Sequence, residues 1–377
     1  MTLFGKFLVF IFVSLLGGAG WLVIRNYDTP RAEVEQRVEP KPVFITEIIP
    51  ETPPESRAEP EPFPVSVSAP VTVPVPVPPL SSTHYPLPTT LSSLPDWNTI
   101  NTRTRAALAN ILCTAKNGDL FQPLSGSGVF IDSRGVILTN AHVAQYLLLT
   151  SGGEKSDLLN CVIRIGNPAE VRYHTELLFI SPQWVAEHAK NILEESPKSR
   201  GENDYALLLV TGTTNPAASP PDSFPTLSLR TEILPDQADA YLVAGYPAGF
   251  LGGIAVQLQL WSTSSFATIA KRYTFSESTL DLVGLGGNVL AQKGASGGAL
   301  VDGEGKLAGL IVTATVEGTT DTRDVRALTI DYVTRAFERE AGFPLADLAD
   351  ANLPMLRAQF ARDILPSLRQ KLVEVLE

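Results

Sequence analysis

The sequence predicts an all-β globular domain carried behind an apolar N-terminal segment and a proline-rich spacer. Three observations lead there. Phe7 to Ile24, "FLVFIFVSLLGGAGWLVI", is an apolar run without a charge. Prolines then recur from Asn26 to Pro95, culminating in "VSVSAPVTVPVPVPP". From about Trp97 onward, many short apolar runs are separated by Gly, Pro, Asn and Asp, the pattern of strands joined by turns. At 377 residues the chain has room for one large or two ordinary domains.

The apolar run is just long enough to cross a hydrocarbon core as a helix. Lys6 precedes it, Arg25 follows it, and the charges beyond are mixed and then acidic. Positive-inside reasoning then leaves the N-terminus cytoplasmic and exports the rest. A secretory signal with a small-residue cleavage site near Gly17 and Ala19 is the rival reading. The run continues past a usual cleavage point, which favours a transmembrane signal anchor over residues 1–25. A single-pass protein of a bacterial inner or cytoplasmic membrane, with its globular domain extracytoplasmic, is the expectation. Residues 26–95 form the spacer. Proline lacks the backbone donor and fixes φ, so alternating Val-Pro favours extended polyproline II at roughly 3 Å per residue.

Within the domain, expected over residues 96–343, the runs "NILCTAK", "GSGVFID", "GVILTNAHVA", "CVIRIG", "YALLLV", "YLVAGYP", "IAVQLQLW", "GALVD" and "KLAGLIVTATV" read as strands. "VFIDSRGVILTN" predicts a hairpin turning at Asp132 to Gly135. One inserted surface helix interrupts the strands. It starts with Ser181 as N-cap and Pro182 at the first helical position, with Trp184, Val185, His188 and Ile192 along one side. After "RALTIDYVTRAFERE" the chain becomes helical. In the tail, residues 344–377, Leu356, Phe360, Ile364, Leu368 and Leu372 recur every four residues, on one or two helices interrupted at Pro366. That stripe fits packing on the chain's own core first, and self-association or partner docking second.

A formal charge of −11 and no sustained Lys/Arg stripe exclude nucleic acid as the main partner. Cys113 and Cys161 are the two cysteines, too few for a disulfide scaffold but compatible with one bridge in an exported chain. No His/Cys cluster has zinc-ligand spacing, and neither a metal nor a cofactor is called for.

The chemistry converges on "KGASGGAL" around Ser296. Gly294 to Gly298 satisfies the G-x-S-x-G elbow of α/β-hydrolases, but that elbow needs its histidine after the serine. All four histidines, His84, His142, His174 and His188, precede it. The order His, Asp, Ser is available instead. His142 closes "GVILTNAHVA", and Asp204 in "GENDYALLLV" immediately precedes an apolar strand. Imidazole can take the serine proton while a carboxylate fixes its tautomer. Small residues around Ser296 would let the Gly294 and Ser296 N–H groups, with Ala295 between them, point at a developing oxyanion. His174 and His188 read as structural or surface residues, and Asp132, Asp281 and Asp302 as turn acids.

Together these stretches resemble the trypsin/chymotrypsin-fold serine proteases, most closely the bacterial HtrA/Deg-like branch. "SGSGVFIDSRGVILTNAHV" resembles its opening hairpin and histidine motif, "NDYALLLV" its Asp-x-Ala-Leu motif, "VAGYPAG" its Gly-x-Pro-x-Gly turn, and "KGASGGALVDGEGKLAGLI" its nucleophile loop. The resemblance covers about Ala106 to Glu340. It implies a double β-barrel with His142 and Asp204 from the first barrel, Ser296 from the second, and a protein or peptide substrate. It also puts Cys113 and Cys161 on first-barrel strands that pair, so a bridge is sterically reasonable, with two buried thiols as the alternative. The S1 pocket base would fall at Leu290, led into by Val289, favouring small or apolar residues rather than Arg or Lys. Ala295 and Ala299 depart from the family loop, which usually reads Gly-Asn/Asp-Ser-Gly-Gly-Pro. The chain also ends too soon and too helically for a PDZ domain. A dormant protease fold serving as a binding or scaffold module is therefore the second reading.

Overall fold

The computed structural model describes residues 94–116, 123–150, 158–194, 200–235, 240–249, 253–275, 278–313 and 324–377. The expected anchor and spacer lie outside them. Among the described residues no helix is long and apolar enough to cross a membrane.

The domain opens on α1 (Trp97–Ala106), started by Asp96, whose Oδ1 accepts from the Thr99 N–H at 3.2 Å. The sequence reading assigns no helix here. Ile100 is its one fully buried apolar residue, so the amphipathic pattern is thin. There follow β1 (Leu108–Ala115), β2 (Leu124–Asp132), β3 (Val136–Thr139), α2 (Ala141–Ala144), β4 (Leu159–Ile165), β5 (Glu170–Ile180), α3 (Pro182–His188) and β6 (Ala206–Thr213). The six strands close into an antiparallel barrel in the order β1-β2-β3-β6-β5-β4. Barrel closure buries both faces of some strands, and Val136, Ile137 and Leu138 are consecutive yet wholly buried. The predicted turn joins β2 to β3: Gly135 N–H bonds Asp132 O at 3.0 Å, and the Arg134 guanidinium pairs with Asp132 at 2.6 Å.

Cys113 and Cys161 face each other across β1 and β4 and are joined by a disulfide, with Cα atoms 4.1 Å apart. Helix α3 begins as expected, with Ser181 Oγ accepting from the Trp184 N–H at 3.0 Å. It is more than a surface insertion, because Trp184 and Val185 are buried and His188 stacks on the Trp184 ring.

The second half comprises β7 (Tyr241–Gly245), α4 (Gly253–Leu258), β8 (Thr263–Ala267), β9 (Lys271–Tyr273), β10 (Leu282–Gly284), β11 (Ala299–Val301), β12 (Leu307–Thr313) and β13 (Val325–Thr329). Here the double-barrel expectation holds in part, the closed six-stranded barrel being its first half. The strands form a seven-stranded antiparallel sheet, β8-β7-β11-β12-β13-β10-β9, in which β8 and β9 are edges rather than partners among the described residues. The sheet has its own core around Val243, Val283, Leu300 and Ile311. A correction concerns "IAVQLQLW", expected as a strand and found as α4. Its alternation of apolar and polar letters is misleading: Val256 and Leu260, four apart, are buried, whereas Leu258 is 71% exposed.

The chain ends in α5 (Ile330–Ala341), α6 (Leu353–Asp363) and α7 (Leu365–Leu376). Thr329 caps α5 by accepting from the Tyr332 N–H at 3.1 Å. The four-residue stripe packs inward. Phe360, Leu368 and Leu372 are buried in the same core as the first barrel, and the Phe360 ring lies 5.8 Å from that of Phe179 on β5. Polar contacts add to this seat. Arg134 donates to Ala351 O at 2.8 Å and Arg369 Nε to Leu148 O at 3.0 Å.

Candidate active site

His142 sits in the single turn α2, immediately beyond β3. Asn140, in extended conformation, ends the strand and precedes the turn, and its Nδ2 donates to Asp204 O at 2.9 Å. Asp204 lies just before β6 and is 1% exposed. Its two carboxylate oxygens divide the histidine between them: Oδ1 accepts from the His142 backbone N–H at 2.9 Å, and Oδ2 lies 2.7 Å from Nδ1. A carboxylate can only accept, so the ring proton belongs on Nδ1. Nε2 is then left with its lone pair, on a side chain that is 28% exposed.

The loop carrying Asp204 is braced from α5. Asn203 stands at φ +56°, in the left-handed region. The Tyr332 hydroxyl accepts from its backbone N–H at 2.9 Å and donates to its Oδ1 at 3.0 Å. Arg339 donates to the same Oδ1 at 3.1 Å. Burial pushes the Tyr332 hydroxyl up to about 12, so it keeps its proton as a donor.

Ser296 is built differently, from main chain. Gly294 and Gly297 have φ of +92° and +84°, which side-chain-bearing residues rarely adopt. A Cβ on Gly297 would overlap the Ser127 carbonyl, so only glycine lets the loop lie this close to β2. Ala295 N–H bonds Gln292 O at 3.2 Å, Gly298 N–H bonds Ala295 O at 2.9 Å, and Gly297 N–H bonds Ile311 O at 2.9 Å. Ala248 N–H, just past β7, bonds Lys293 O at 2.7 Å. In a trans peptide the carbonyl and the following N–H point opposite ways. The Gly294 N–H is therefore turned away from Ala248, and it has no acceptor among the described residues.

Between the halves stands Ser127, on β2. Its N–H bonds Ser296 O at 2.7 Å, and its carbonyl accepts from Thr139 Oγ1, three residues before His142, at 2.7 Å. The structure thus brings His142 and Asp204 into direct contact and seats the Ser296 loop on the strands that lead to His142. Sequence reasoning missed Ser127 as well as the Asn203–Tyr332 brace. Their one local signal is a serine between two glycines in "SGSGVF" and an Asn before the Asp; their partners lie far along the chain.

Not every predicted residue gathers here. Leu290, expected at the base of a pocket, is wholly buried beside Leu285 and Ala295 in the second core, and Val289 is 41% exposed. His174 is on β5 and His188 on α3, neither in contact with the His142–Asp204 pair. The three turn acids make ion pairs: Asp132 with Arg134, Asp302 with Arg230, and the wholly buried Asp281 with Arg335. Ala295 and Ala299 are both wholly buried in apolar surroundings. Among the described residues no group of three or more His, Cys, Asp or Glu is placed to hold a metal ion.

Residues 126–310 match the family model described as the trypsin-like peptidase domain. No curated protein matches the chain. Two crystal structures of Rv3671c from M. tuberculosis resemble it remotely. The active form is 21% identical, with a TM-score of 0.40, covering 66% of this chain and 88% of that one. An inactive serine-to-alanine mutant form is 18% identical, also at 0.40, covering 65% and 91%. These remote likenesses add nothing to the family match. The match spans both the His142–Asp204 pair and the Ser296 loop, and residues 126–310 are thus a trypsin-like peptidase domain, that of a serine endopeptidase.

Proposed function

We propose that the chain is a membrane-anchored, extracytoplasmic serine endopeptidase with His142, Asp204 and Ser296 as its triad. The observation that carries the reading is the two-point hold of Asp204 on His142 beside the seated Ser296 loop. His142 Nε2 takes the Ser296 proton as Oγ attacks the peptide carbonyl, and the imidazolium formed is stabilised by Asp204. The oxyanion is met by the Gly294 and Ser296 N–H groups, each such donor being worth roughly 3–4 kcal/mol in the transition state. His142 then protonates the leaving amine, and water, deprotonated by the same base, releases the acyl group.

The Cys113–Cys161 disulfide supports an oxidising compartment, in line with export behind residues 7–24. Buried Ala295 and Ala299 fit their apolar sites without distorting the loop, which favours an active enzyme over a dormant scaffold. The substrate is a protein or peptide with a small or apolar P1 residue.

Labelling with a fluorophosphonate probe tests the mechanism: the full chain reacts and Ser296→Ala does not. An equal signal from both, or none from either, overturns the triad. Peptide-library cleavage dominated by Arg or Lys at P1 overturns the specificity. Recovery of the full-length protein in the soluble fraction of a producing cell overturns the anchor.

A further inference from the structure

The geometry points to Ser127 as the residue that holds the proposed oxyanion hole in its working conformation, an inference that rests on Ser296 being the nucleophile. Ser127 belongs to the first barrel, is wholly buried, and takes no part in proton transfer. Its hydroxyl accepts from the Tyr246 N–H at 2.8 Å and lies 2.7 Å from Gly294 O. An amide N–H can only donate, so the single hydroxyl proton is committed to Gly294 O. The Ser127 backbone N–H meanwhile holds Ser296 O. One residue thus grips the Gly294 carbonyl, in the peptide that links the two donor-bearing peptides, and the Ser296 carbonyl just beyond them.

The two grips have different consequences. The backbone bond to Ser296 O survives any side-chain substitution and keeps the nucleophile in place. The hydroxyl bond acts on Gly294, which at φ +92° has no side chain to resist rotation. Without that bond a buried carbonyl is left unpaired, which is unfavourable enough to drive the local backbone to rotate and seek another donor. Such a rotation swings the Gly294–Ala295 peptide, which joins the peptide carrying the Gly294 N–H, pinned through Lys293 O to Ala248, to the one carrying the Ser296 N–H, and so throws the two donors out of their common aim. Ser127 is in this sense a positioning residue. Its loss is felt in the transition state more than in substrate binding.

Steady-state cleavage of a peptide substrate by the full chain, Ser127→Ala and Ser127→Cys tests this, alongside affinity for a peptide boronic acid, which forms a tetrahedral adduct with the serine. For Ser127→Ala we expect kcat to fall roughly 10- to 100-fold with KM changed less than about twofold, and boronate affinity to fall by the same factor as kcat. Ser127→Cys, close in size with a weaker donor, should fall between the two. A Ser127→Ala enzyme with undiminished kcat and boronate affinity overturns the inference. So does a loss that appears equally in KM, or failure of both variants to fold, since either assigns Ser127 to structure alone. A wild-type chain without Ser296-dependent turnover overturns the underlying triad instead, and is recognised before any Ser127 variant is compared.

Discussion

His142 and Asp204 are positioned by side chains, whereas Ser296 is positioned by backbone. In the first barrel the acid is gripped through its own carboxylate, through Asn140, and through the neighbouring Asn203 tied to Tyr332. The barrel is closed, cross-linked and covered by the C-terminal helices. In the second half the strands form a seven-stranded sheet, and the Ser296 loop depends on two positive-φ glycines and a series of main-chain hydrogen bonds. Side-chain holds can be weakened one at a time. A backbone hold depends on every dihedral along the loop, so a single added methyl can displace it.

That contrast can be broken most sharply at Asp204. Asp204→Asn should lower kcat by about 10⁴-fold with little change in melting temperature, because an amide no longer enforces the Nδ1 proton. A loss below tenfold would remove Asp204 from the triad. Next in size is the disulfide. Replacing both Cys113 and Cys161 by Ala opens a link spanning 48 residues, and denaturant unfolding should show a loss of up to about 4 kcal/mol. Turnover of the folded fraction should persist, since neither cysteine has a part in the proposed proton transfer. Gly297→Ala should do the reverse. Its Cβ meets the Ser127 carbonyl at φ +84°, so we expect about 2–4 kcal/mol of destabilisation together with activity lost even where the protein remains folded. An active Gly297→Ala would mean that the loop is not seated against β2.

The smallest effect concerns pH. Burial raises the Glu340 carboxyl above its usual range, opposed by hydrogen bonds from Ser181 and Tyr205. A carboxyl raised in the folded state binds more protons there than in the unfolded chain. Its contribution to stability is present in full below the unfolded value and lost as pH rises through the folded one. Glu340→Gln lacks this term. The stability of the variant relative to wild type should therefore grow as pH rises above about 4.5, which urea titrations at several pH values would reveal. A constant difference would remove Glu340 from the pH dependence.

The proposed triad was legible because each member lies in a local pattern: His142 after "ILTNA", Asp204 before an apolar strand, Ser296 among small residues. The first barrel was readable for the same reason, its strands being continuous apolar runs between turn residues. What escaped depends on distant partners. Ser127 meets Tyr246 and Gly294, more than a hundred positions away, and Asn203 meets Tyr332 at a similar remove. Nothing near either residue in the chain encodes those meetings. Helix α4 escaped because its letters alternate like a strand. Tertiary packing takes Val256 and Leu260 inward and lets the Val256 and Gln257 carbonyls receive Arg164 from β4. The pocket residue Leu290 was placed by resemblance alone, since no pattern in the letters around it marks a specificity pocket.

The C-terminal helices have a consequence in time. Helix α7 packs against the segment directly behind His142, with Arg369 bonded to Leu148 O, while α6 covers Phe179 on β5. These residues leave the ribosome about two hundred residues after the strands whose surface they cover. During synthesis the histidine-bearing barrel waits with that apolar surface bare. The cover that α6 and α7 give to Phe179 and to the segment behind His142 is therefore a late addition to a barrel whose strands were made long before.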